Sequence, residues 1–104
     1  MKKIECFLRE EDARTLVLEL GKSGINGATI SSVQGFGRQR GKDGQLLPKA
    51  KVEVLALEVE VDEVVRTVTR FTRRGEYGDG KIAIIDLVDA IRVRTGESGA
   101  KALM

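Results

Sequence analysis

The sequence contains no histidine. That removes the commonest general base and the commonest zinc or copper ligand, so no Ser-His or Cys-His nucleophile can form within one chain. Tryptophan is also absent. The aromatics are Phe7, Phe36, Phe71 and Tyr77, too few for a sheet that stacks RNA bases. One cysteine, Cys6, has no intrachain partner; in an apolar alternation it reads as a small buried hydrophobe. No run of about 18 apolar residues exists, so no membrane span is expected. Met1-Lys2-Lys3-Ile4-Glu5 is charged at once and lacks the apolar stretch of a signal peptide. The expected compartment is the cytoplasm. A net charge of +2 is too small to argue for a nucleic-acid partner.

What the chain does have is glycine in clusters. Gly75-Glu76-Tyr77-Gly78-Asp79-Gly80-Lys81 places three glycines and a lysine in seven residues, ahead of the apolar run Ile82-Ala83-Ile84-Ile85. Glycines let backbone N–H groups converge on an anion, and Lys81 adds a charge at the rim. Gly35-Phe36-Gly37-Arg38-Gln39-Arg40-Gly41 is a second cluster, and Arg92-Val93-Arg94 adds two guanidinium groups. These point to a phosphate-bearing ligand. Two familiar cradles are excluded. Residues 75–81 fit G-x-x-x-x-G-K, but Ile82 stands where a P-loop needs Ser or Thr, and the segment leads from a helix into a strand. Arg40 breaks G-x-G-x-x-G in the other cluster.

At 104 residues the chain is expected to form one domain, residues 1–104, with a modest core. Alternation predicts a strand over 2–9 and helical spacing a helix over 11–22, with Gly21 and Gly24 as stop signals. A second strand is predicted over 25–36, a polar loop over 37–47, and a third strand over 51–61, with Pro48 at its approach. That third strand changes phase between Val54 and Leu55, which predicts a bulge or cover on both faces. Asp62 is expected to cap a helix over 63–74, with Val61, Val64, Val65 and Val68 as its apolar stripe. Arg66, Arg70, Arg73 and Arg74 give that helix a basic face. A last strand over 81–94 would carry Arg92 and Arg94 on one side, and the tail from 95 to 104 would be loose. The order is βαββαβ, an α+β ferredoxin-like arrangement with an antiparallel sheet and both helices on one face. Apolar residues on both parities of the third strand suggest that another subunit covers the open face.

Five blocks in order resemble the PII signal-transduction proteins: Met1 to Glu5, Gly35 to Gly41, Leu47-Pro48-Lys49, Gly78 to Ile82, and Ile91 to Glu97. The resemblance covers almost the whole chain. It implies a homotrimer that binds ATP or ADP between subunits, senses 2-oxoglutarate with Mg²⁺-ATP, and regulates nitrogen or carbon metabolism through a transporter, enzyme or transcription factor. It implies no catalysis. Gly78, Asp79, Gly80 and Lys81 would form the phosphate turn. Arg92 and Arg94 would reach the phosphates from the neighbouring subunit. Gly35, Gly37, Arg38 and Gln39 would line the site at the base of a mobile loop. Thr29 and the backbone near Val54 and Leu55 would hold adenine. Gln39 would ligate Mg²⁺, and Lys49 would pair with a 2-oxoglutarate carboxylate.

The chain departs from the family in places. Its loop within residues 35–48 is about half the usual length, and Arg38 to Leu46 include no Tyr, Ser or Thr to modify. Arg74 replaces a preferred Ser or Thr, Ala83 a preferred aromatic, and Glu10-Glu11-Asp12 a Pro-Phe-Lys stretch. Three other functions compete. A slow ATPase would need Asp79 or Glu53 as its base. An RNA-binding module would need more aromatics. A small-molecule domain that senses amino acids on the same fold would not need Arg92 and Arg94.

Overall fold

The computed structural model describes residues 1–38 and 41–104. Four strands and two helices follow in the order β1 (Lys2–Leu8), α1 (Glu10–Lys22), β2 (Thr29–Gly35), β3 (Leu47–Ala56), α2 (Val61–Thr72) and β4 (Lys81–Asp86). Short 3₁₀ turns lie at Lys42–Gly44, Glu58–Glu60 and Gly99–Leu103. The sheet is antiparallel throughout, in the spatial order β2-β3-β1-β4. Each helix therefore carries the chain across one intervening strand, which is the ferredoxin-like split βαβ pattern.

The alternation in β1 is what buries the sheet's inner face. Ile4, Cys6 and Leu8 point to the helices and pair directly with Val54, Val52 and Ala50 of β3. Leu16 and Leu20 of α1 and Val64 and Val68 of α2 close the same core. Burial pushes the Cys6 thiol up to about 11, so it stays a neutral hydrophobe. Helix α1 begins with Glu10, Glu11 and Asp12, acids that complement its N-terminal dipole. It ends at a left-handed Gly24 (φ 93°). There the N–H of Ile25 reaches the carbonyl of Leu20, and that of Gly24 reaches Gly21, both at 3.1 Å. Leu20 and Ile25 are buried beside this Schellman cap.

Several element boundaries differ from the sequence reading. The phase change in β3 is neither a bulge nor double cover. The ladder runs unbroken to Ala56, and Leu57, Val59 and Val61 lie beyond the strand, in the turn and helix that follow. Helix α2 starts at Val61, so Asp62 sits in its first turn rather than at its cap. The Glu60 carboxylate instead accepts the Leu57 N–H at 2.9 Å and folds the preceding turn. Strand β2 starts at Thr29, four residues later than expected, and β4 stops at Asp86. The tail is not loose. Gly99–Leu103 forms a 3₁₀ turn, and the Asn26 amide donates to the Leu103 carbonyl at 3.1 Å.

The open face of the sheet is less apolar than strand parity suggested. Lys3 and Lys51 alternate with Glu5 and Glu53 in a ring of four ion pairs, 3.2–3.7 Å long. Glu5 and Glu53 are direct cross-strand partners, a repulsive pair that only the two lysines make tolerable. Hydrogen bonds from Lys3 and Lys51 hold the Glu53 carboxyl below its usual range. Phe7, Leu55 and Ile85 surround this ring and remain exposed.

The antiparallel order brings the β2–β3 loop and the α2–β4 turn to one end of the sheet, beside the end of β1. At that end Gly80 (φ 104°) presses on β1: a Cβ there would stand 1.8 Å from the Phe7 carbonyl oxygen. Two predictions follow from this packing. Leu16, fully buried at the centre of α1, should lose about 2–5 kcal/mol of stability as Leu16→Ala in urea unfolding. Gly80→Ala should cost about 1–3 kcal/mol from backbone strain alone, and more because the Phe7 carbonyl cannot recede. A Gly80→Ala protein as stable as the parent would show that the turn can lift off β1.

Candidate anion-binding cleft

The turn from α2 to β4 is shaped by one carboxylate. Asp79 Oδ2 accepts the backbone N–H groups of Arg74 and Gly75 at 2.8 Å and of Glu76 at 3.3 Å. Its Oδ1 stands 3.0 Å from Nη2 of Arg9, which also donates to the Tyr77 carbonyl at 3.3 Å. The N–H donors, the Arg74 amide above all, lower the Asp79 pKa to about 2 despite partial burial. Asp79 is therefore a fixed anion facing into the turn. Gly78 and Gly80, by contrast, donate no backbone hydrogen bond among the described residues.

Those two glycines form a wall of a cleft of about 510 Å³. Lys81 joins them from the start of β4, Lys49 from β3, and Gly35, Gly37 and Arg38 from the end of β2. Phe7, Val33, Phe36 and Tyr77 supply apolar surface. Among the described residues the cleft therefore combines two glycine amides without a partner, three cations and aromatic walls. Apart from Glu76, its one acidic residue is Asp79, already held by the turn and Arg9. Such a site suits an anion carrying an apolar or planar part.

Eight of the expected site residues thus meet in one place: Gly35, Gly37, Arg38, Lys49, Gly78, Asp79, Gly80 and Lys81. Gln39 lies outside the described residues. Thr29, Leu55 and Arg92 line a second cleft of about 420 Å³, together with the tail residues Ala102 and Leu103. It opens at the other end of the sheet; Thr29 and Val33 are four residues apart along β2, roughly 13 Å. The Val54 side chain is buried in the core, so only its backbone is available to a ligand.

The two terminal arginines are not side by side on a strand. Residues 91–98 form a small hairpin with one bridge, Ile91 to Ser98, because the Gly96 N–H turns back to the Arg92 carbonyl at 2.7 Å. Arg92 points into that hairpin. It pairs with Glu97 at 3.0 Å and donates to the carbonyls of Ala102 and Met104. Arg94 is exposed and has no ion pair among the described residues.

Sequence reasoning gave no role to Phe36 and Tyr77, although both stand inside the glycine clusters. It also passed over Arg9 and Asp12. Their partners are more than 60 residues away, so spacing carries no sign of them.

Comparison with known proteins places these features in a family. The family model described as Nitrogen regulatory protein P-II matches residues 1–97. The chain is 39% identical to Nitrogen regulatory protein P-II 2 of Methanothermobacter thermautotrophicus, over 99% of the chain and 97% of the relative. It is 38% identical to Nitrogen regulatory protein P-II of Nostoc punctiforme, over 99% of the chain and all of the relative. A crystal structure of Arabidopsis thaliana PII bound to citrate matches with a TM-score of 0.86 and 39% identity, covering 97% of the chain and 90% of that protein. On the family match, the identities and the shared ferredoxin-like fold, the chain belongs to the P-II family of nitrogen regulatory, signal-transducing proteins.

Proposed function

We propose that this P-II protein is a sensor of adenine nucleotides that acts on protein partners and has no catalysis of its own. The observation that carries the reading is the pair of glycine amides, Gly78 and Gly80, that donate to no group among the described residues, beside Lys81, Lys49 and Arg38. Backbone N–H groups backed by cations match the oxygens of a polyphosphate. The citrate bound by the Arabidopsis relative, an anion with three carboxylates, agrees with an anion-seeking site in the family.

One subunit supplies two half-sites at opposite ends of its open sheet face. A homotrimer that lays these ends together would complete the site: glycine turn and loop base from one subunit, Thr29, the Leu55 backbone, Arg92 and Arg94 from the next. The half-exposed Phe7, Leu55 and Ile85 would be covered in the same step. Arg92 would then exchange Glu97 and the tail carbonyls for phosphate oxygens.

Mg²⁺, a hard cation, would be held chiefly by the nucleotide phosphates, with Gln39 as the one expected protein ligand. Lys49 lies in the cleft wall where a 2-oxoglutarate carboxylate would meet it. The loop between Gly35 and Leu47 exposes Phe36 and Leu46, apolar groups suited to a protein partner.

The alternative of a slow ATPase loses its bases. A general base works best with a pKa near the operating pH. Asp79 lies at about 2, and two lysines hold Glu53 below its usual range.

Calorimetric titration with ATP, ADP and AMP, with and without Mg²⁺ and 2-oxoglutarate, tests the reading. Lys81→Ala and Arg94→Ala should each weaken ATP by about 1.5–3 kcal/mol and AMP by much less. Sedimentation should give a trimer. A folded monomer, or ATP affinity unchanged in the Lys81→Ala Arg94→Ala double variant, would refute the composite site. If 2-oxoglutarate and ATP leave each other's affinity unchanged, the protein is a sensor of adenylates alone.

A further inference from the structure

We infer that Arg9 and Arg74 are positioning residues for the anion-binding turn. Neither lines the cleft. Both hold the turn from behind through carboxylates. The inference rests on the phosphate reading of the cleft and deepens it.

Arg9 follows directly on β1. Its largely buried guanidinium meets Asp79 Oδ1 at 3.0 Å and the Tyr77 carbonyl at 3.3 Å. It therefore ties the middle of the turn to the strand on which Gly80 already rests. Arg74 stands two residues past α2 and is fixed at both ends. Its backbone N–H is held by Asp79 at 2.8 Å. Its guanidinium bonds Asp12 Oδ1 at 2.9 Å and stands 3.8 Å from Glu11. Asp12 is buried in the first turn of α1. The start of α1 thus clips the end of α2 at the point where the glycine turn begins.

The same contacts set the electrostatics of the cup. Asp79 stays ionised, and Arg9 is the nearest cation that balances it. Removing Arg9 frees one side of the turn and also leaves a carboxylate uncompensated behind the site of an incoming anion. Removing Arg74 does the same to Asp12 at greater distance. Both losses fall on an anion in proportion to its charge. A residue that served folding alone would lower stability without changing the preference for ATP over AMP.

The test uses Arg9→Met, Arg74→Met and the conservative Arg9→Lys in the full chain. Amide exchange by NMR on ligand-free protein reads the turn directly. The Gly75 and Glu76 amides, both bonded to Asp79, should exchange about tenfold faster in the Met variants, while the core amides of Val52 and Val54 keep their protection. ATP affinity should fall about tenfold and AMP affinity less than about threefold, as for the loss of a charged hydrogen bond. Arg9→Lys should recover most of both, since an ammonium still reaches Asp79. Unchanged exchange at Gly75 overturns the inference. So does faster exchange with an unchanged ATP-to-AMP ratio, because the turn would then be held without consequence for the anion. If the parent chain binds no ATP, the phosphate reading fails, and amide exchange alone decides whether the arginines hold the turn.

Discussion

The Asp79 carboxylate sets the geometry of the cleft. Three consecutive amides, from Arg74 to Glu76, close on one oxygen, and Arg9 meets the other. A segment with three glycines is otherwise costly to order, since glycine loses the most backbone freedom on folding. One ionised side chain with several donors offsets that cost, because charged hydrogen bonds are the strong ones. With Asp79 turned inward, the amides of Gly78 and Gly80 are left for something else. The contact of Gly80 with β1 then fixes the height of the cup against the sheet.

The sheet topology does the rest. In the order β2-β3-β1-β4, the start of β4, the start of β3 and the end of β2 all fall at one end. Segments more than 35 residues apart in sequence therefore share one cleft. The same topology puts Thr29, Leu55 and the Arg92 hairpin at the other end. Between them lies the Lys3, Glu5, Lys51 and Glu53 ring. Its two positive and two negative charges cancel, so the face can approach a like face without net repulsion.

Local signals carried much of this. Period-2 alternation in Ile4, Cys6 and Leu8 and helical spacing in α1 gave those elements to within a residue or two, because each pattern answers to its own burial. The glycine clusters marked the cleft, since few other residues allow such turns. The failures lay where tertiary partners decide. The apolar residues after Ala56 looked like more strand, yet the Glu60 bond to Leu57 turns the chain there. Arg92 and Arg94 looked like strand neighbours, yet Glu97 and the tail draw Arg92 into a hairpin. Arg74 read as part of a basic helix face and Glu10-Glu11-Asp12 as a departure from the family. In the fold they are partners, with Arg74 on Asp12 and beside Glu11.

The clamp on Asp79 has a consequence for how the protein meets changes of acidity. A carboxylate with its pKa lowered to about 2 keeps its full contribution above the ordinary aspartate range, and loses it only as pH falls through about 2. Cys6 ionises only near 11. Histidine, the side chain that normally titrates between pH 5 and 8, is absent. The Asp79 clamp therefore keeps its charge, and with it the fold of the turn, across that interval. A phosphate ester does not, since its second proton leaves near about pH 6. Were the proposed phosphate ligand to bind beside this clamp, its own second ionisation would be the group that changes charge in that interval.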